Sequence, residues 1–417
     1  MDASRGDLGE IATNGFGQRW ARRLVTLAAV LATLPTLAVV VGALFPPTRL
    51  IATIGTLVES FFTLHVFIAG FVGIVLSLLA ARLGLGRGTA VILGLAVLAT
   101  VGAAVPFFAQ VRTAHRYGAT ISWTDHLRVA APGPRATPEQ TTLFATVDGK
   151  PLYLDVYLPK DAGYSPLTGS TVRFAPVVMI HGGGYSRGER SDGRDWDRWF
   201  AERRYTVFDV DYRLDPPVTW NLAAQDVACA MTWIAAHAED YHLALDRMLI
   251  TGQSAGGGLA LQVAYGLGDG TVTSSCGGQV PQPKAVFALY PPDDFAMAWS
   301  LDTGIAPASA RNLNTGYIGG SPEQFPDRYG AVSAVFHVRP GLPPTLIAAG
   351  LHDHLVPFGG HDELVEKLNA AGVPNELLGV PYSDHAYDLV WGGIGGQVTR
   401  KVLADFLARF LPPLDAQ

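Results

Sequence analysis

The apolar positions of this chain fall into two regimes. Between residues 24 and 45 no charged side chain occurs, and at 1.5 Å per residue such a run crosses a bilayer core of about 30 Å as a helix. Further uncharged runs, broken only by His65, cover 61–81 and 89–109, parted by Arg82-Leu-Gly-Leu-Gly-Arg87-Gly. Three membrane spans are predicted. Pro35 lies inside the first, a place where membrane helices tolerate proline. A cleaved signal peptide is the alternative for that run, but the run exceeds the usual apolar length and no small-x-small cleavage site stands before Pro46-Pro47. Arginines set the expected orientation: Arg5, Arg19, Arg22, Arg23, Arg82 and Arg87 fall on one side, Arg49, Arg112, Arg116 and Arg128 on the other. That bias predicts a cytoplasmic N-terminus and an extracytoplasmic remainder after about residue 110. Glu59, just ahead of the second run, is expected at the membrane interface, and His65 inside it reads as a neutral interhelical hydrogen bonder.

The second regime alternates short β-rich runs with helical ones. Residues 112–140 read as a connector, with Tyr117 and Trp123 as interfacial anchors and a Pro/Ala/Gly-rich stretch at 130–138. Strand-like runs at 141–147 and 152–158 flank Asp148-Gly149, a hairpin turn signal. Further strands are predicted at 177–180, 206–211, 248–250, 285–290, 345–349 and 376–380. Helices are predicted around 195–203, 222–238, from 259, 362–371 and 397–411. Strands alternating with crossover helices imply a mainly parallel sheet covered on both faces, so 141–417 is expected to be one doubly wound α/β domain. The interval 291–344 is too long for a plain connection and reads as a small helical cap insertion over the sheet's C-terminal edge. Its aromatics Phe295, Trp299, Tyr317 and Phe336 either line a substrate pocket or pack the insertion onto the domain.

Composition adds exclusions. The chain has 417 residues, is 49% hydrophobic and carries a formal net charge of -6. With no basic stripe outside the first part of the chain, nucleic acid is not an expected partner. The two cysteines, Cys229 and Cys276, lack metal-like spacing; they form one disulfide or stay two buried thiols.

Ligand sites of open parallel sheets lie at the C-terminal strand ends, and the chemistry-bearing residues cluster there. After the strand ending at Ile250 comes Gly252-Gln253-Ser254-Ala255-Gly256, a strand-turn-helix that fits the G-x-S-x-G nucleophile elbow. His181-Gly182-Gly183-Gly184 follows the strand at 177–180, and its glycines can turn N–H groups toward a substrate oxygen, as can Ala255. His181 itself reads as structural. Asp353 follows the strand at 345–349 and His385 the last strand, so Ser254, Asp353 and His385 appear in the order Ser, Asp, His. A serine hydroxyl needs a base near neutral pH, which His385 can be, with Asp353 fixing its tautomer. Asp384 competes with Asp353 for that role, but adjoining residues rarely face each other. His352 and His354 invite a metal reading, yet nothing nearby completes a ligand set, and no cofactor is called for.

These motifs resemble the α/β-hydrolase esterases, in particular the hormone-sensitive-lipase-like and bacterial feruloyl/acetyl esterase branches. The match rests on His181-Gly182-Gly183-Gly184-Tyr185, Asp211-Tyr212-Arg213-Leu214, the Ser254 elbow, the Asp353 segment ending Val356-Pro357, and Asp384-His385. The resemblance implies an α/β-hydrolase fold and hydrolysis of carboxylic esters with nucleophile Ser254, acid Asp353, base His385 and oxyanion donors Gly182, Gly183 and Ala255. Tyr185, Phe295 and Trp299 are the pocket candidates. One departure is Asp215-Pro216-Pro217, where hormone-sensitive-lipase relatives usually carry Ala-Pro-Glu. The expected protein is a membrane-anchored serine esterase acting on a small-molecule or lipid ester, with the bilayer as its other partner. An amidase or an acyltransferase would use the same triad, and a catalytically silent anchoring protein is the alternative of another class.

Overall fold

A computed structural model describes residues 6–84, 86–128, 137–159, 173–302 and 309–412, and the side chains of 6–19 are not among what it describes. Arg5 and the side chain of Arg19, counted above for orientation, and residues 129–136 of the connector therefore lie outside the described residues.

The chain opens with three helices long and apolar enough to cross a membrane: α1 (Gly6–Leu44), α2 (Arg49–Arg82) and α3 (Arg87–Arg116). All three are longer than the uncharged runs that announced them. Helix α2 starts at Arg49 because the Thr48 side chain caps it by accepting from the Ile51 N–H. Residues 49–60, which the apolar run left out, are thus helical and set off from the rest by non-helical geometry at Phe62. This first segment is two-faced. Leu50, Ile51 and Ile54 are exposed, whereas Ala52, Thr56, Glu59 and Ser60 are buried. Glu59, expected at the membrane interface, is fully buried within the protein. His65 makes no interhelical hydrogen bond through Nδ1 among the described residues; its ring lies 5.4 Å from that of His126.

The first part of the connector, residues 112–128, is largely helical. Helix α3 continues to Arg116, and α4 (Trp123–Leu127) is capped by Ser122 and carries the buried His126, whose Nδ1 lies 3.1 Å from the Gly392 carbonyl. Tyr117 is half-buried against the domain's core, while Trp123 stays exposed with its ring 6.2 Å from that of Phe107.

The described residues then build an eight-stranded sheet from β1 (Gln140–Val147), β2 (Lys150–Tyr157), β3 (Ala175–Ile180), β4 (Tyr205–Val210), β5 (Leu249–Gln253), β6 (Ala285–Leu289), β7 (Thr345–Gly350) and β8 (Asn375–Val380), in the order β1-β2-β4-β3-β5-β6-β7-β8. Strands β1 and β2 form the antiparallel hairpin announced by Asp148-Gly149, both with positive φ, and β2 meets β4 antiparallel. From β4 onward every pairing is parallel. Crossovers run through α5 (Arg194–Ala201), α6 (Leu222–Ala236), α7 (Ala255–Asp269), a cap of α8 (Phe295–Ser300), α9 (Ala310–Ile318) and α10 (Pro326–Val332), then α11 (Gly359–Ala370), while α12 (Ile394–Phe410) follows the last strand. Parallel strands are covered on both faces, which is why their burial is continuous rather than alternating. One face packs Val178, Ile180, Phe208 and Ile250 against α6 and α7, and the other packs Val177, Met179, Val207 and Phe287 against α5 and α12. Cys229 of α6 is bonded to Cys276 as a disulfide.

Candidate active site

The sharpest backbone feature follows β5. Ser254 has φ of 54° and ψ of -119°, a strained conformation for a residue with a Cβ. Glycines at both sides make the turn feasible: a Cβ on Gly252 would come within 2.4 Å of the Gly256 backbone, and one on Gly256 within 2.1 Å of the Ile180 carbonyl. The Ser254 N–H donates to the Leu289 carbonyl at 2.9 Å, which fixes the serine at the rim of the sheet and directly before α7.

Three strand ends converge there. His385, in the loop after β8, has Nε2 2.8 Å from Ser254 Oγ and Nδ1 2.7 Å from Asp353 Oδ2. Asp353, in the loop after β7, is held in turn by the N–H groups of Leu355 and Val356, which donate to its Oδ1 at 2.8 and 2.7 Å. Burial disfavours the charged His385 ring, but the charge and hydrogen bond of Asp353, with help from Asp384 and Asp388, outweigh it and raise the imidazole above its ordinary value. Asp384, the competing acid, does not face the ring. Its Oδ1 accepts from the His385 backbone N–H at 2.7 Å, and its Oδ2 lies 2.8 Å from His354 Nδ1.

The His181–Gly184 loop faces the serine from the end of β3. Gly183 has φ of 108°, and a Cβ there would lie 1.9 Å from the Arg187 carbonyl, so only glycine fits. Among the described residues, the backbone N–H groups of Gly182, Gly183 and Ala255 find no backbone acceptor. His181 serves the loop's shape. Burial holds its imidazole below the ordinary value, its Nδ1 lies 2.7 Å from the Gly182 carbonyl, and its ring stacks on Tyr212 at 4.4 Å. Tyr212 donates to the His181 carbonyl at 3.1 Å, and its neighbour Arg213 grips Asp226 with two nitrogens at 2.7 and 2.8 Å. Tyr212 of the Asp-Tyr-Arg-Leu motif therefore braces the glycine loop.

A cleft of about 740 Å³ opens over Ser254 and His385, walled by Gly182, Asn312, Leu313 and Leu389. The aromatic pocket candidates are not its walls. Tyr185 is buried and stacks on Tyr317 at 3.7 Å, reaching only a recess of about 20 Å³ below the cleft. Phe295 is buried beside both rings, and Trp299 lies against Tyr329 with centroids 6.3 Å apart. These large rings pack the insertion onto the domain, which leaves the smaller Asn312, Leu313 and Thr315 of α9 to face the cleft. Asp215, in the segment that departs from the esterase pattern, also lines the cleft, and burial raises its carboxyl.

One group escaped the sequence reading. Asp388, buried under the triad, accepts from Tyr290 Oη at 2.5 Å, Gln253 Nε2 at 2.7 Å and Trp196 Nε1 at 2.7 Å. The Tyr290 ring in turn lies edge-on to His385 at 4.7 Å. Its three donors come from α5, β5 and the end of β6, so the only linear hint is its position three residues after His385. Among the described residues no group of three His, Cys, Asp or Glu side chains is placed to hold a metal ion.

Comparison with known proteins gives this geometry its relatives. The BD-FAE family profile matches residues 154–368, just over half of the chain. The chain belongs to the BD-FAE family. It is an α/β-hydrolase of esterase type. Curated relatives of this BD-FAE member include the esterase LipI of Mycobacterium tuberculosis, 30% identical over 54% of this chain and 69% of that protein. The probable carboxylic ester hydrolase LipM of the same organism is 27% identical over 62% of this chain and 58% of its own length. The non-reducing polyketide synthase Preu6 of Preussia isomera is 24% identical over 60% of this chain, which spans only 14% of that protein. Among solved structures, the apo form of Thermogutta terrifontis esterase 2 is 24% identical, with 69% of this chain and 99% of that chain covered at a TM-score of 0.53, a likeness of fold.

Proposed function

We propose that this BD-FAE family member is a membrane-anchored serine carboxylesterase. Ser254 attacks the ester carbonyl while His385 takes its proton, and the N–H groups of Gly182, Gly183 and Ala255 receive the oxyanion. His385 then protonates the leaving alcohol, which departs and leaves an acyl group on Ser254. A water deprotonated by His385 releases the acid and restores the serine, and Asp353 holds the imidazole in the required tautomer throughout. The observation that carries this reading is the unbroken line from Asp353 Oδ2 through His385 to Ser254 Oγ, with contacts of 2.7 and 2.8 Å. Purified Ser254→Ala protein is expected to lose hydrolysis of short p-nitrophenyl esters and labelling by a fluorophosphonate probe. Full activity in that variant sinks the proposal.

The address is part of the proposal. The three apolar helices anchor the protein, the N-terminus faces the cytoplasm, and the hydrolase domain stands outside. The Cys229–Cys276 disulfide supports that side, since such bonds persist in oxidising compartments. A C-terminal reporter fusion active only in the cytoplasm overturns the orientation.

A further inference from the structure

We infer that the first segment of α2 is a working part of the active site, with Thr56 and Ser60 as positioning residues for the catalytic histidine. Thr56 Oγ1 donates to Asp384 Oδ2 at 2.6 Å, and the Asp384 N–H donates to Ser60 Oγ at 2.8 Å. Both hydroxyl-bearing residues are buried. Asp384 is the residue directly before His385, so one helix turn of the apolar region grips the base of the triad from behind, through backbone and side chain together.

The carboxylate of Asp384 shows why this grip matters. Its Oδ1 accepts from the N–H groups of His354 and His385 at 2.9 and 2.7 Å, while its Oδ2 meets His354 Nδ1 at 2.8 Å and Thr56 at 2.6 Å. Four donors thus converge on two oxygens, and the group ties together the Asp353 loop, the His385 loop and α2. Hydrogen bonds counter the burial of this carboxylate and keep it below its ordinary value; those from His354 and Thr56 act most strongly. Removing the Thr56 hydroxyl strips one of the two donors from a buried Oδ2.

Other elements hold the same loop along its length. Gln110 of α3 donates to the Pro381 carbonyl at 3.3 Å, and His126 of α4 meets the Gly392 carbonyl. Ser60 also donates to the Thr56 carbonyl at 2.7 Å, just ahead of the break in helix geometry at Phe62. That break separates the segment that docks on the hydrolase from the segment that continues as the second apolar helix. The family profile matches residues 154–368, and Thr56, Ser60, Gln110 and His126 all precede that stretch. Neither hydroxyl touches Ser254, and their effect passes through the placement of His385, where a displacement of about 1 Å costs about a hundredfold in rate.

The inference rests on the esterase reading, and its test separates the two. Full-length Thr56→Val, Thr56→Ser and Thr56→Val/Ser60→Ala proteins are purified in detergent, and kcat and KM are measured on p-nitrophenyl acetate beside wild type and Ser254→Ala. The double variant is expected to lose about tenfold or more in kcat with KM within about twofold, because substrate contacts are untouched. Thr56→Ser, which keeps the donor, is expected to recover most of the rate. Wild-type kcat in the double variant overturns the inference, and so does a Thr56→Ser protein as slow as Thr56→Val, because serine keeps the donor. Should the double variant fail to fold, Ser60→Ala decides, with a severalfold loss of kcat in folded protein expected and no loss overturning. A silent Ser254→Ala beside fully active α2 variants removes this inference and leaves the esterase reading standing. An active Ser254→Ala removes both.

Discussion

Replacing Asp353 by asparagine keeps the shape of the site and changes its proton. Asp353 Oδ1 accepts from two backbone N–H groups, those of Leu355 and Val356, while Oδ2 faces His385 Nδ1 at 2.7 Å. An asparagine must put its carbonyl oxygen in the Oδ1 place, because an NH2 group there would confront two donors. Its NH2 then points at His385 Nδ1, which can only accept. The ring proton moves to Nε2, the atom that lies 2.8 Å from Ser254 Oγ and has to take the serine's proton. A triad locked in this tautomer loses about ten-thousand-fold in kcat, equivalent to about 5.4 kcal/mol of transition-state stabilisation. Folding should change little, since the two backbone hydrogen bonds survive. The assay is kcat for p-nitrophenyl acetate over a range of pH, with thermal unfolding of the same preparation as the control. An Asp353→Asn protein that melts like wild type and turns over within about tenfold of it refutes the assignment of Asp353 as the orienting acid.

Other consequences concern pH and stability. Although burial alone would lower it, Asp353 lifts the His385 imidazole above 6.5, and the base works only when neutral; kcat/KM should therefore fall on the acid side with a midpoint above pH 6.5, and a lower midpoint contradicts the geometry. The Cys229–Cys276 bridge closes a separation of 47 residues, so its reduction or a Cys276→Ser change should cost about 4 kcal/mol of chain-entropy stabilisation, read from guanidinium unfolding with and without reductant; identical midpoints exclude that contribution. Burial, reinforced by Asp155 and Asp211 and opposed by the Ser191 N–H, pushes the Asp209 carboxyl up to about 8 from 3.8. A raised carboxyl adds stability that is complete below pH 3.8 and lost as pH climbs through 8, so Asp209→Asn should flatten that decline, and an unchanged slope speaks against a protonated Asp209.

Much of the site could be read in the linear sequence because its residues obey a positional rule. Ser254, Asp353 and His385 each follow a predicted strand, and parallel strands deliver their C-terminal ends to one edge; the structure brings the three within hydrogen-bonding distance. What stayed hidden depends on side-chain direction. Residues 49–60 escaped the search for apolar runs because that helix is two-faced, with Thr56 and Ser60 turned inward and Ile51 and Ile54 outward. Asp388 gave no signal because its donors Trp196, Gln253 and Tyr290 are scattered over nearly a hundred residues and meet only in three dimensions. Of the aromatic pocket candidates, Tyr185 and Phe295 do not line the main cleft, although Tyr185 borders the small recess beside Ser254; burial claims such large rings before a solvent-filled cleft can.

The bond from Thr56 to Asp384 also bears on how the molecule comes together. It links positions 328 residues apart, and bringing such distant points of a flexible polymer together costs about 5 kcal/mol in entropy beyond the short-loop constant. A contact of that kind is a poor nucleus and closes only after the strands between have already drawn the two ends near each other. Synthesis runs from Thr56 toward Asp384, so a chain not yet made as far as Asp384 lacks this bond. It closes only once β8 has carried the Asp384 loop back against α2.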